Sequence, residues 1–155
     1  LRLGKKGEPV VNTEIPGFEI GKGIVMKEGT DVCLLNTGIT LPISLEAGIE
    51  LGKRGISAKV VNLHTVKPLD DGLLSSVFST FPLVATVEEH SLIGGLGGAV
   101  AEWMADQPPL KSRLCRIGSP DLFRHHTGSQ AFVRNQIGLT PQAIANRVED
   151  LFRQN

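Results

Sequence analysis

LVATVEEHSLIGGLGGAV, residues 83–100, is the stretch whose reading decides the fold. An apolar run of strand type, Leu83 to Val87, leads into Glu88, Glu89 and His90 as a polar tip. Four glycines between Gly94 and Gly98 then open a helix rich in Ala, Val and Trp. Strand, polar tip, glycine turn and helix make the half-unit of a parallel α/β sheet. In such sheets ligands and partners gather at the carboxyl ends of the strands.

The same alternation continues on both sides. Leu41 to Arg54 is expected to be helical, with Thr40 as N-cap, Pro42 in the first turn and Gly55 just past the end. Its apolar residues Ile43, Ala47 and Leu51 recur every four positions, as a buried stripe requires. Ala58 to Leu63 reads as a strand, and Asp70 or Asp71 caps a helix that Pro82 ends. After the Leu83 strand comes a helix from Gly97 to Asp106, then a last strand from Arg113 to Ile117. Ser129 to Ile137 and Pro141 to Gln154 close the chain as helices, separated by Gly138 and the capping Thr140. On the final helix Ile144, Val148, Leu151 and Phe152 share a face. Upstream, FEIGKGIVMKEGTDVCLLNTG, from Phe18, suggests a short strand, a turn at Lys27 to Thr30 and a second strand from Val32 to Thr37. So short a turn requires the two strands to run antiparallel. Strands alternating with helices of 10–15 residues place helices on both faces of the sheet. The expected architecture is a three-layer α/β/α sandwich with a mixed sheet of about five strands, mostly parallel, the first antiparallel. Residues 1–17, which hold three glycines and two prolines without any period, read as a connector, and 18–155 as one domain.

Composition narrows the function classes. At 155 residues the chain can bury roughly 70% of its unfolded surface. Sixteen basic residues balance sixteen acidic ones, so no global field draws nucleic acid or an anionic membrane. No apolar run approaches the ~18 residues of a membrane span. Cys33 and Cys115 sit within apolar strands, which favours reduced, buried thiols and a cytoplasmic location. The chain starts at Leu1 rather than Met, and we expect a fragment or an excised domain.

The chemistry-bearing residues are few. Gly95 and Gly97 give G-x-G, but Val100 stands where a dinucleotide fingerprint needs its third glycine, and five residues separate strand and turn. The glycines are better read as letting a helix start close to its strand. His64 and His90 each follow a strand and so belong at the carboxyl edge, with Thr37, Gly38 and the Gly118 to Asp121 turn. His90 beside Glu89 could form an oriented acid–base pair, or both could bond neighbouring loops. His125 and His126 lie in a polar loop, where adjacent residues rarely share a metal. Neither serine nor cysteine sits in a nucleophile setting. Taken alone, the chain reads as a binding or assembly module.

Three segments in order carry a resemblance. VVNLHTVKPLD (60–70), LVATVEEHSLIGGLGGAVAEW (83–103) and IGSPDLFRHHTGS…IGLTPQAI (117–144) are similar to the C-terminal domain of transketolase-type, thiamine-diphosphate-dependent enzymes. The matching motif residues are Thr65, Pro68, Leu69 and Asp70, then Val87, Glu88 and Glu89, then Gly94 to Gly98. The resemblance runs from about Glu19 to the C-terminus and is nearest to transketolase made as two separate sections. It implies a domain of an enzyme that transfers two-carbon ketol units between sugar phosphates. Deoxyxylulose-phosphate synthase and the β chain of 2-oxoacid dehydrogenases are the alternatives within the superfamily. A free-standing flavodoxin-like module is the alternative outside it. The connector resembles the end of a pyrimidine-binding domain, where an R-x-x-R pair meets the substrate phosphate; here the pair is Arg2 and Lys5. Lysine keeps the charge but lacks the guanidinium fork. The resemblance further implies that thiamine diphosphate and a divalent metal belong to the complete enzyme, held by pyrophosphate- and pyrimidine-binding domains at a dimer interface. This chain, lacking the G-D-G motif and the activating glutamate, is expected to hold neither and to be inactive alone. Its expected work is assembly, in a homodimer or heterotetramer, and lining the substrate entrance with His64, Glu89 and His90 at the carboxyl edge.

Overall fold

The computed structural model describes residues 7–154 except 13, 15, 124 and 126. Five strands form one sheet: β1 (Ile24–Lys27), β2 (Val32–Asn36), β3 (Ala58–Asn62), β4 (Leu83–Ser91) and β5 (Arg113–Ser119), in the spatial order β1-β3-β2-β4-β5. β2, β3, β4 and β5 are mutually parallel, and β1 runs antiparallel to β3. Helices α1 (Leu41–Lys53) and α5 (Pro141–Arg153) cover one face, and α2 (Asp71–Thr80) and α3 (Leu96–Ala105) cover the other. A seven-residue helix, α4 (Gln130–Gln136), has no fully buried residue.

The strands that both layers cover are apolar over most of their length, as a parallel sheet demands. All five residues of β2 are buried; Val32 and Leu34 face α1 and α5, while Cys33 and Leu35 face α2 and α3. On α1 the buried stripe is Leu41, Ser44, Ala47, Gly48 and Leu51, and Ile43 only flanks it. The caps fall largely where the sequence puts them. Asp70, Ser129 and Thr140 each accept a hydrogen bond from the backbone three residues on, at 3.1, 3.2 and 3.3 Å. Gly55 and Gly138 follow their helices with φ of 77° and 72°, the left-handed conformation that closes a helix. Thr40 holds the N-cap position of α1 without capping it, because its hydroxyl turns inward to the carbonyls of Thr37 and Val87 at 2.8 and 2.9 Å.

Two expectations are corrected. The first strand is antiparallel, but it forms no hairpin with β2, because β3 lies between them. The connection after Lys27 instead crosses the start of β3, where Thr30 and Asp31 donate from their N–H groups to the Ser57 carbonyl at 3.2 and 2.8 Å. Gly29 makes the crossing possible: any Cβ there would collide with the Ala58 backbone. The second correction is that β4 runs on to Ser91, pairing with Ser119 beyond an irregularity after Val87. Glu88 is therefore no polar tip. It is a fully buried strand residue facing α3.

Glu88 joins strand to helix. Its two carboxylate oxygens accept from the N–H groups of Leu96 and Gly97 at 2.7 and 2.8 Å, the first residues of α3. These donors have no partner within the helix, and the positive end of its dipole favours an anion there. The glycines make room: a Cβ on Gly95 would strike the Glu88 carboxylate, and one on Gly118 would lie 3.0 Å from Glu88 Cγ. Removing the carboxylate in Glu88→Ala leaves two buried donors unpaired, a cost of about 3 kcal/mol. We expect Tm to fall by roughly 10 °C, measured by circular dichroism or calorimetry. Gly95→Ala should also destabilise, and the double variant should lose less than the sum, because Glu88→Ala removes the two nearest atoms that the new methyl meets and leaves only the Ser91 carbonyl at 2.9 Å.

Asp70 supplies a second tie. Besides capping α2 it accepts from the Gly23 N–H at 3.0 Å and has the Lys22 ammonium 3.7 Å away, which pins the chain entering β1 to the start of α2. Burial pushes its carboxyl up, but the Gly23 and Leu73 N–H groups and the Lys22 charge outweigh burial and hold it below the usual carboxylate value of 3.8. A carboxyl lowered by folding stabilises the fold above its unfolded value, and that contribution is lost as pH falls through the lowered one. Asp70→Ala should therefore lower Tm by about 2–6 °C at pH 7. The gap from the parent protein should narrow as melts are taken below pH 4.

Candidate functional site

The carboxyl edge is shaped by three ties. His64 follows β3 and stacks on Phe18, their ring centroids 4.3 Å apart, while its Nδ1 shares a hydrogen bond of 2.9 Å with Thr65 Oγ1. Its buried Nε2 has no hydrogen-bond partner among the described residues, and neither have Asn36 Oδ1 and Asn62 Oδ1 on the ends of β2 and β3. Asn36 and Asn62 are register partners, so a polar track crosses the two strand ends. Glu89, on the extension of β4, accepts from Arg134 Nε at 2.8 Å and from Gln130 Nε2 at 3.2 Å. Through this pair the largely buried Arg134 side chain ties α4 to the sheet. His90 is exposed, and its Nδ1 lies 3.0 Å from the Ser91 carbonyl.

The three candidate residues of the edge do not converge. Glu89 is engaged with α4, His90 with its neighbour's carbonyl, and His64 lies two strands away with β2 between. Arg2 and Lys5 lie outside the described residues. His125 is exposed, and His126 lies outside the described residues. Among the described residues no three His, Cys, Asp or Glu side chains are grouped to hold a metal. No helix among them is long and apolar enough to cross a membrane.

Both thiols are buried, and burial pushes that of Cys33 up to about 12, which keeps it protonated and unreactive. The glycine turn before α3 does not fit a diphosphate, since the Glu88 carboxylate already takes the N–H groups that would cradle one. Beside this turn, α3 and the loop joining β3 to α2 enclose a groove of about 510 Å³. Sequence reasoning missed Glu88, Arg134 and Phe18 as organising residues. The only signal for Glu88 was its place at the end of an apolar strand, just ahead of clustered glycines.

Comparison with known proteins agrees with this arrangement. The pattern that defines the family described as "Transketolase, C-terminal domain" matches residues 21–144. The chain is 41% identical over 150 residues to a Methanocaldococcus jannaschii protein described as "Putative transketolase C-terminal section", covering 96% of this chain and 46% of that protein. It is 35% identical to the 1-deoxy-D-xylulose-5-phosphate synthase of Bacillus cereus AH187, covering 91% of this chain and 22% of the synthase. Among solved structures it superposes with TM-score 0.85 and 35% identity on one described as "Split gene transketolase, inactive beta4 tetramer", over 95% of this chain and 47% of that one. The chain thus spans less than half the length of these relatives. A Pichia stipitis transketolase shares the fold, with TM-score 0.62 at 19% identity. With its antiparallel outer strand, its parallel β2–β5 and the matched motifs along most of its length, the chain belongs to the transketolase C-terminal domain family.

Proposed function

We propose that the chain is the C-terminal, non-cofactor-binding part of a transketolase-like enzyme that moves two-carbon ketol units between sugar phosphates in the cytoplasm. The observation that carries this reading is the 41% identity, over nearly the whole chain, with a relative described as a transketolase C-terminal section. In it, residues 1–17 connect to a preceding pyrimidine-binding domain, and 18–155 form the C-terminal domain. Thiamine diphosphate and a divalent metal, which supply the carbanion-stabilising chemistry, are held by the pyrophosphate- and pyrimidine-binding parts, in the same polypeptide or a separate subunit. The complete enzyme is a homodimer or a heterotetramer. This chain packs on those parts and turns its carboxyl edge, with His64, Glu89 and His90, toward the substrate entrance, while Arg2 and Lys5 meet the substrate phosphate.

A second reading has a specific observation behind it: the 35% identity with 1-deoxy-D-xylulose-5-phosphate synthase over 91% of the chain. One experiment separates the two. The chain is assayed alone and after co-expression with the preceding section, for two-carbon transfer between sugar phosphates, for formation of 1-deoxy-D-xylulose 5-phosphate, and for thiamine diphosphate binding by calorimetry. We expect no binding or turnover alone, and binding with ketol transfer in the complex. Cofactor binding by this chain alone would overturn the assignment, and the synthase product would move it to the second reading. In the active complex Lys5→Ala should raise KM for the phosphorylated donor about tenfold with kcat little changed, and Lys5→Arg should hold or lower KM.

A further inference from the structure

The groove beside the glycine turn joins an apolar floor to an acidic rim. One wall is a stripe along α3 and its C-cap, Ala99, Glu102, Trp103 and Asp106, at the i, i+3, i+4 and i+7 spacing of a single helix face. The other is the β3–α2 loop, with Val66 and Leu69. Val66, Leu69 and Trp103 all pack on the buried core of this face, and Trp103 rests on Phe78 with centroids 5.5 Å apart, so the floor is firm and apolar.

The charges on the rim work against their own helix. Glu102 and Asp106 stand four residues apart, where like charges repel. Both lie at the carboxyl end of α3, whose dipole disfavours anions, and no basic residue occupies its last turn. Both are exposed, and neither has an ion-pair partner among the described residues. Lys67, on the opposite rim, is the one cation of the lining; against two carboxylates it leaves the groove with one net negative charge. A local rule broken without compensation inside the fold marks a surface that is completed from outside.

We propose that this groove is a docking site for an arginine-bearing segment of a partner polypeptide. A guanidinium is flat enough to stack on the Trp103 indole while its N–H fork reaches Glu102 and Asp106, and its aliphatic stem lies along Val66, Leu69 and Ala99. A free small molecule is the poorer occupant, since tight small-ligand sites enclose most of their ligand and the rim residues here are exposed. The inference is independent of the transferase reading: it concerns charge and shape on α3, whatever the partner catalyses.

Trp103 is the only tryptophan, and the chain has no tyrosine, so its emission reports directly on the groove. The full chain is titrated with acetyl-Leu-Arg-Leu-Arg-Leu-amide and with the same peptide carrying neutral citrulline for arginine. We expect a saturable change in emission with the arginine peptide that weakens with added salt. Binding should be at least about tenfold weaker for the citrulline peptide and for the Glu102→Gln, Asp106→Asn double variant. The double variant should keep the parent Tm or exceed it, since it removes a repulsion from the helix end, and this separates lost docking from lost folding. No saturable response at millimolar peptide, an equal response to citrulline, or undiminished binding by the double variant would overturn the proposal.

Discussion

A buried carboxylate clamped between a strand and a helix start organises the α2 and α3 side of this molecule. Glu88 leaves β4 with no exposed surface and takes the first two free N–H groups of α3. Because the donors are short of partners and the acceptor is cut off from water, each satisfies what the other lacks, and losing either leaves an expensive orphan. The clamp sets where α3 begins, and therefore how Leu96 and Val100 reach the core and where Trp103 meets Phe78. It also explains Gly95, where a Cβ would collide with the carboxylate, while at Gly97 a Cβ would lie 2.8 Å from Thr86 Oγ1 on the strand behind. An anion built into the helix start leaves no vacancy for a phosphate, which separates this turn from nucleotide-binding turns of similar appearance.

Much of the fold was legible because it rests on local signals. The helix stripe through Ala47 and Leu51, the caps at Asp70, Ser129 and Thr140, and the glycines after α1 and α4 act within one or two turns of chain. The placement of β1 was not legible, since a short turn between strands ordinarily makes neighbours of them. Here the intervening loop steps over the beginning of β3, a contact with residues far ahead in the chain, and only the bare backbone of Gly29 hinted at it. The length of β4 was hidden for a related reason. Three charged or polar residues in a row look like a loop unless one knows that the first is neutralised by a helix and the second by Arg134.

The candidate site was legible as a place and not as a set of contacts. Parallel strands put His64 and His90 at one edge, as expected, yet β2 keeps them apart and each has its own local partner. What the edge offers is a surface assembled from several elements. A helix is tied down through Glu89, an aromatic ring is laid over His64, and two amide oxygens on the strand ends are buried without a partner among the described residues. That fits membership of a family whose relatives here are at least twice as long as this chain.

The loop that vaults over β3 carries a consequence for biosynthesis. Residues leaving the ribosome meet their partners in order of emergence, and β1 emerges before the strand that it must pair with. Until Ala58 to Asn62 has been made, the first strand has no ladder to join, so the sheet cannot grow outward from its own amino-terminal edge. Nascent-chain order thus differs from spatial order: among the described strands β1 emerges ahead of β2, yet it can pair only once β3 has followed both.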